Sequence, residues 1–128
     1  MKELITIKSE IKPNAIQLLG NNTYYYNHNI KSCKIHIYDE VNNKNNIVDG
    51  YEFTPVYIKG VPEYKNCVKN TIRLYLTQNE EFDLINSYNK TNIFKENNSK
   101  SFEEYKKYLE IINFIKVEVK EVFNNLNT

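Results

Sequence analysis

Apolar positions along this chain recur at two spacings, and the places where one spacing gives way to the other mark its elements. Glu3 to Lys8 alternates, with Ile5 and Ile7 on one side and Leu4 and Thr6 on the other, which predicts a short strand. Ala15 to Leu19 admits two readings. Asn14 with Gln17 three residues later can cap a brief helix that Gly20 stops, placing Ile16 and Leu19 on one side; the same residues also fit a strand, and the helix is preferred here. Asn21 to Lys31 reads as a loop or sheet-edge segment, with Tyr24 and Tyr26 sharing one strand face and Tyr25 the other. Ser32 to Val41 alternates again, with Cys33, Ile35 and Ile37 inward and Lys34, His36 and Tyr38 outward. A turn over Asn42 to Asn46 then returns the chain as a strand from Ile47 to Lys59, giving a hairpin. Within that strand Asp49-Gly50 predicts a tight turn or bulge. Pro55 sits where the apolar phase slips from Phe53 to Val56 and Ile58, which an edge position or a bulge explains.

The second half carries helix signals. Pro62 precedes Tyr64, Cys67 and Val68 at helical spacing, predicting one or two turns within Gly60 to Asn70. Thr71 to Thr77 alternates, with Ile72, Leu74 and Leu76 against Arg73, Tyr75 and Thr77, and is read as a strand with one buried face. Thr77 with Glu80 then forms a capping box, so helix starts there, with Glu80, Glu81 and Asp83 near its positive end. Phe82, Leu84, Ile85 and Tyr88 supply its apolar side, and Asn89 is suited to end it. The residue that should staple against Leu76 is Glu81, which is polar.

Thr91 to Lys100 is a polar linker around Ile93 and Phe94, and no domain boundary stronger than 95–101 is evident. Ser101 with Glu104 is a second capping box, followed by Phe102, Tyr105, Leu109 and Ile112 on one helical face. Beyond it IKVEVKEV alternates, so helix followed by a strand from Phe114 to Glu121 is the reading adopted. One continuous helix is the alternative, because Ile112, Ile115, Val119, Val122, Phe123 and Leu126 continue the stripe. These elements predict an α+β fold in one domain over residues 1–128: a mainly antiparallel sheet with two or three helices packed on one face.

Composition narrows the functional classes. With 128 residues, 41% hydrophobic and 13% aromatic, the chain can bury a core. A formal net charge of +1 argues against a dedicated duplex-DNA binder and against an acidic nucleic-acid mimic. Asn, Lys, Ile and Tyr are abundant, while alanine occurs once and arginine once, as Arg73. A/T-rich codon usage alone would supply many of the 11 tyrosines and the asparagine runs. Cys33 and Cys67 match no metal spacing and read as buried thiols, and the N-terminus lacks a signal-peptide core. No apolar run approaches the ~20 residues of a membrane span, so a cytoplasmic protein without membrane association is expected.

Candidate chemistry is sparse. His28 and His36 are the two histidines, neither stands beside a serine or cysteine in a nucleophile arrangement, and Cys33 and His36 lie on opposite strand faces, so no metal site is expected. The carboxylate pairs Asp39-Glu40, Glu80-Glu81 and Glu103-Glu104 are adjacent in sequence and diverge in space. No phosphate-cradling glycine motif is present, and an enzyme or a cofactor is not expected. The residues suited to contact are Arg73 and Tyr75 on the outward side of the expected 71–77 strand, the run Tyr24, Tyr25 and Tyr26, and Lys34 and Tyr38. They point to a small non-enzymatic module with a protein partner. Small size and A/T-rich bias fit a mobile-element product that inhibits a host or defence protein. The alternative is a single-stranded nucleic-acid binder that stacks bases on Tyr38, Tyr57 and Tyr64 and tracks phosphates with Lys31, Lys34, Lys59, Lys65 and Lys69.

Overall fold

The computed structural model describes residues 1–95 and 99–126. Its elements run β1 (Ile7–Ser9), β2 (Ile16–Gly20), β3 (Thr23–Asp39), β4 (Lys44–Lys59), α1 (Tyr64–Tyr75), α2 (Gln78–Ile93) and α3 (Ser99–Leu126). All strand pairings are antiparallel, in the order β1-β4-β3-β2, so the fold is α+β as the sequence predicts. Two compact units divide the chain, Leu4–Cys67 and Met1–Glu3 with Val68–Thr128. The division falls inside α1 and not in the polar 91–100 stretch. Of that stretch, 91–93 belong to α2 and 99–100 to α3, while 96–98 lie outside the described residues.

The strand unit is built on β3 and β4. Asparagine does the turning. Gly20 pairs with Thr23, leaving Asn21 and Asn22 as a two-residue turn with φ of 51° and 59°. Both left-handed residues make it the primed type whose twist matches the flanking strands. At the far end, Asp39 pairs with Lys44. Its carboxylate accepts from the Val41 and Asn42 backbone N–H groups and from the Asn42 side chain, and Asn43 turns left-handed at φ 52°. The Asn42 side chain foremost holds the Asp39 carboxyl below the usual carboxylate range. Between His28↔Thr54 and Lys31↔Glu52 the register shifts, with Asn29 at φ 56°, so Asn29 and Ile30 together oppose Phe53 as a bulge.

That bulge lies on the partner strand and leaves the alternation of β4 intact, so the apparent phase slip near Pro55 comes from burial on both faces of β4, Phe53 on one and Val56 and Ile58 on the other. Up to the bulge, Tyr26, His28, Thr54, Val56 and Ile58 are buried on one face of the sheet, while Asn27 and Phe53 are buried on the other. Pro55 pairs with Asn27 beyond the stretch Tyr51–Phe53 that β1 covers, so β4 has a sheet neighbour on one side only there. Gly50 is neither turn nor bulge, being paired in register with Cys33. A Cβ on it would sit 2.8 Å from the Ser9 carbonyl oxygen and against the Ile35 side chain. Residues 16–19 form strand, contrary to the helix preferred from sequence. The Asn14 and Ala15 carbonyls that a helix would use accept instead from the Asn27 side chain and backbone N–H, at 2.7 and 2.8 Å.

In the helical unit, Thr71–Tyr75 is the end of α1 and not a strand. The alternation of Ile72, Leu74 and Leu76 is real but short. It is embedded in a longer series, Cys67, Val68, Thr71, Ile72, Tyr75 and Leu76, at helical spacing, and of these Cys67, Val68, Thr71 and Leu76 are buried. Thr77 caps α2 through the expected box, accepting from the Glu80 N–H at 3.1 Å and donating its own N–H to the Glu80 carboxylate at 3.2 Å. Asn89 does not stop α2, which continues to a cap at Phe94. Residues 114–121 are helix, so α3 is one helix of 28 residues and the helix-then-strand reading fails. Its burial, at Ser101, Tyr108, Ile112, Ile115 and Val119, steps by three and four residues, and Val117 is exposed where a strand face would bury it. Ser101 is not a cap. It lies within the helix, buried, with its hydroxyl 2.8 Å from that of Ser87.

Replacing Asn22 tests the turn directly. Asn22→Gly should unfold in urea at the same or higher concentration than the parent. Asn22→Val, forced to φ near 59°, should lose about 1–2 kcal/mol.

Candidate functional site

The residues selected from sequence are dispersed. Arg73 and Tyr75 lie on α1, both half-buried. Arg73 Nη2 donates to Glu81 Oε1 at 2.8 Å, Arg73 Nη1 to the Leu76 carbonyl at 3.4 Å, and the Tyr108 hydroxyl to Glu81 Oε2. Glu81 is thereby drawn to the inner side of α2 with Leu84, Ile85 and Tyr88, and Phe82, expected there, is 51% exposed. The polar residue that spoils the hydrophobic staple is thus half of an ion pair. Tyr75 packs with Ile72, Leu84, Ile85 and Tyr105 around Leu76, Tyr108 and Ile112. Tyr105 stacks on Tyr88 with centroids 4.2 Å apart. Burial, reinforced by the charge of Glu118, pushes the Tyr75 phenol up.

In the strand unit Tyr26 is fully buried and Tyr24 half-buried, while Tyr25 lines a cleft described below. Lys34 and Tyr38 are exposed on β3 beyond its covered part. Lys34 is paired with Asp49, and the Tyr38 hydroxyl donates to the Asn43 side chain. The Cys67 thiol is buried and pushed up to about 11 by that burial, which keeps it protonated and unreactive near neutral pH. Among the described residues no three His, Cys, Asp or Glu side chains gather to hold a metal ion, and no helix is long and apolar enough to cross a membrane.

Two features stand out from the rest of the surface. The first is the outer half of the β3/β4 ribbon. β1 pairs with β4 only at Tyr51–Phe53, and β2 pairs with β3 only between Thr23 and Tyr26. From Cys33 to the tip the ribbon is two-stranded, about 20 Å long at ~3.3 Å per residue, with both outer edges unpaired by any strand of the sheet. It displays Tyr38, Val41 and Ile47 at 56, 92 and 61% exposure. Lysines at its base and along it are compensated across the strands, Lys31 by Glu52 at 3.3 Å and Lys34 by Asp49.

The second feature is a cleft of about 490 Å³ on the Tyr25 and Asn27 face, beneath the segment that connects β1 to β2. Asn27 is 3% exposed; its amide nitrogen is engaged by Asn14, and its Oδ1 has no hydrogen-bond partner. Leaving a buried acceptor unsatisfied costs about 1–3 kcal/mol. Tyr25, Phe53 and Pro55 provide apolar walls, and Lys8 and Lys12 line the same cleft, which no carboxylate lines. Sequence reasoning missed Asn27. In a chain rich in asparagine, nothing local distinguishes the one whose strand position turns it inward.

No family model matches this chain, and no curated protein or solved structure matches it either.

The Arg73, Glu81 and Tyr108 arrangement predicts a pH signature. Burial alone would raise the Glu81 carboxyl, but hydrogen bonds from Tyr108 and Arg73 and the guanidinium charge outweigh it and hold it below 4.5. A depressed carboxyl contributes stability that is present above its ordinary value and lost as pH falls through its folded value. Relative to the parent, Glu81→Gln should therefore lose stability at pH 7, with the deficit narrowing below about pH 4.5. Arg73→Ala should cost about 1–3 kcal/mol at neutral pH. Urea unfolding across pH 2.5–7 measures both, and an unchanging Glu81→Gln deficit would contradict the ion-pair account.

Proposed function

We propose that this chain is a small non-enzymatic protein-binding module of the cytoplasm, and that the outer β3/β4 ribbon is its contact surface. The observation that carries the reading is the conjunction of apolar side chains and open strand edges on one projecting hairpin. Tyr38, Val41 and Ile47 are exposed where the ribbon has no sheet neighbour. An edge of this kind offers backbone N–H and C=O groups to an extended segment of a partner, with side chains of alternating residues supplying selectivity. Both thiols are free, which suits a reducing compartment.

Arg73 and Tyr75 are less suited to the contact role than sequence alone implies, since the guanidinium is engaged by Glu81 and the Leu76 carbonyl and the phenol packs into a core. Lys34 and Tyr38 remain within the proposed surface. A module of this sort acts by occupying its partner, and inhibition of a host or defence protein is the form we favour, on small size and A/T-rich composition. The nucleic-acid alternative is weakened by the carboxylates opposite Lys31 and Lys34.

The test is capture from source-cell lysate, followed by titration of the purified partner. Ile47→Asp and Tyr38→Ala should each weaken binding at least tenfold, while Arg73→Ala and Tyr75→Ala leave it within twofold. The opposite pattern would move the surface to α1. Micromolar binding to single-stranded DNA or RNA that falls steeply with salt would replace the reading with the nucleic-acid alternative.

A further inference from the structure

We propose that the outer edge of β3 pairs with the same edge of a second copy of this chain, forming a closed two-fold dimer in which Ile35 faces its counterpart across the axis. The inference rests on the open ribbon invoked above and assigns its two edges separately, β3 to a second copy and β4 with the tip to the partner protein.

Backbone direction comes first. Along a regular antiparallel strand the N–H and C=O of one residue point to the same side, and successive residues alternate sides. The Gly60 N–H donates to the Asn22 carbonyl at 2.8 Å, so even-numbered residues of β4 turn toward β3 and odd-numbered ones turn away from it. The extra residue of the bulge belongs to β3, which leaves that alternation in β4 unbroken to the tip. Lys31 opposes Glu52, so beyond the bulge the odd residues of β3 turn inward. Ser32, Lys34, His36 and Tyr38 then present their N–H and C=O groups outward, all four are exposed, and no strand pairs with them on that side. The β4 edge offers less. Asn45, Ile47 and Asp49 are outward there, while Tyr51 already meets Ser9 of β1.

The occupant follows from the register. Two identical edges meeting antiparallel are related by a two-fold axis, which sets residues of the same parity opposite one another and closes the assembly at two copies. Centring the axis on Cys33 or Lys34 runs Tyr38 into the bulge of the second copy, and centring it on His36 or Ile37 leaves Ser32 without a strand partner. Centring it on Ile35 uses all four outward residues, Ser32 with Tyr38 and Lys34 with His36 of the second copy, for about eight backbone hydrogen bonds at two per pair. On the opposite face this register sets Ile35 against Ile35, Cys33 against Ile37, and Lys31 against Asp39, so apolar residues meet in the middle and opposite charges at the ends. Lys34 is already paired with Asp49 of its own copy, which removes its charge from the contact with His36. The product joins two marginal two-stranded ribbons into one four-stranded sheet, with Cys33, Ile35, Ile37 and Val48 of each copy on one face. Three or more strands with an apolar face is the size at which a sheet holds itself in water.

The test uses the purified whole chain, kept reduced at pH 7.5 and followed by sedimentation equilibrium from about 5 to 500 µM. One strand pair lies at the small end of specific interfaces, so a reversible dimer with Kd on the order of 10–100 µM is expected. His36→Pro removes an outward N–H and no bond of the β3/β4 ladder. It should weaken the dimer at least tenfold with an unchanged far-UV circular dichroism spectrum, while Ile47→Pro, the equivalent change on β4, leaves it within twofold. A crosslinking pair reads the register without relying on proline. In a Cys33→Ser background, Ile35→Cys places two thiols in a non-hydrogen-bonded pair with Cα atoms about 4.5 Å apart, within disulfide reach. It should crosslink under mild oxidation at least tenfold faster than His36→Cys in the same background. A monomer at every concentration, a dimer unaffected by His36→Pro, or faster crosslinking through His36→Cys would each overturn the proposal. All three are read on the purified chain, so they are separable from a failure of partner capture, which is read in lysate with Ile47→Asp.

Discussion

The antiparallel ladder between β3 and β4 is the interaction on which the rest of the strand unit depends. It runs from Thr23↔Lys59 to Asp39↔Lys44, far longer than the edge strands β1 and β2 that flank it. The mismatch in length produces two regions from one hairpin. Near Tyr26 and Val56 both faces are covered and the backbone is paired on several sides, while beyond Ser32 the ribbon must hold itself. An isolated two-stranded hairpin is marginal in water. The outer ribbon therefore draws its order from continuity with the covered part, from the Asp39 turn, and to a small degree from exposed ion pairs worth a few tenths of a kcal/mol to about one. A segment so placed lies at the low end of local stability, where partner-binding elements are commonly found.

The bulge at Asn29 and Ile30 matters for the same reason. By setting two residues against Phe53, it brings Lys31, Cys33, Ile35 and Ile37 onto the face that carries Tyr26 and His28 before it. Without it Lys34, His36 and Tyr38 would continue that buried face. The four asparagines in left-handed conformation at 21, 22, 29 and 43 set both ends of the hairpin and its bulge. Part of the asparagine excess therefore has a conformational use that codon bias does not supply.

What could be read from the sequence, and what could not, follows from how far each signal reaches. The 32–41 and 47–59 strands, the turn between them and the Thr77 capping box were legible because their determinants lie within a few residues of one another. Thr71–Leu76 was misread because six residues of alternation satisfy a strand, while the helical series that overrides it begins at Cys67. Residues 114–121 failed in the same way. The stripe that decides α3 spans Ser101 to Val119 and shifts by one residue from the expected Phe102 and Leu109, both of which are exposed. Residues 16–19 became strand through bonds to Asn27, a dozen positions away. Of the candidate sites, the exposure of Lys34 and Tyr38 was legible from alternation. The engagement of Arg73 was not, since its partner Glu81 lies in another helix and reads locally as helix N-terminal charge.

The two units differ in how completely they satisfy their own polar groups, and that difference is where function is best sought. In the helical unit Arg73 meets Glu81, Glu81 meets Tyr108, Thr77 and Glu80 cap each other, and Ser87 meets Ser101. Each partner there is answered from within, so these side chains are already accounted for by stability. In the strand unit, among the described residues, the accounting stays open at two places: strand edges beyond Ser32 that no neighbour pairs, and the Asn27 oxygen that nothing reaches. Buried polar atoms without partners are rare in folded proteins because each one subtracts from a small net stability. Here the bonds that Asn27 donates to the Asn14 and Ala15 carbonyls hold it in an orientation that leaves its own oxygen enclosed without a partner.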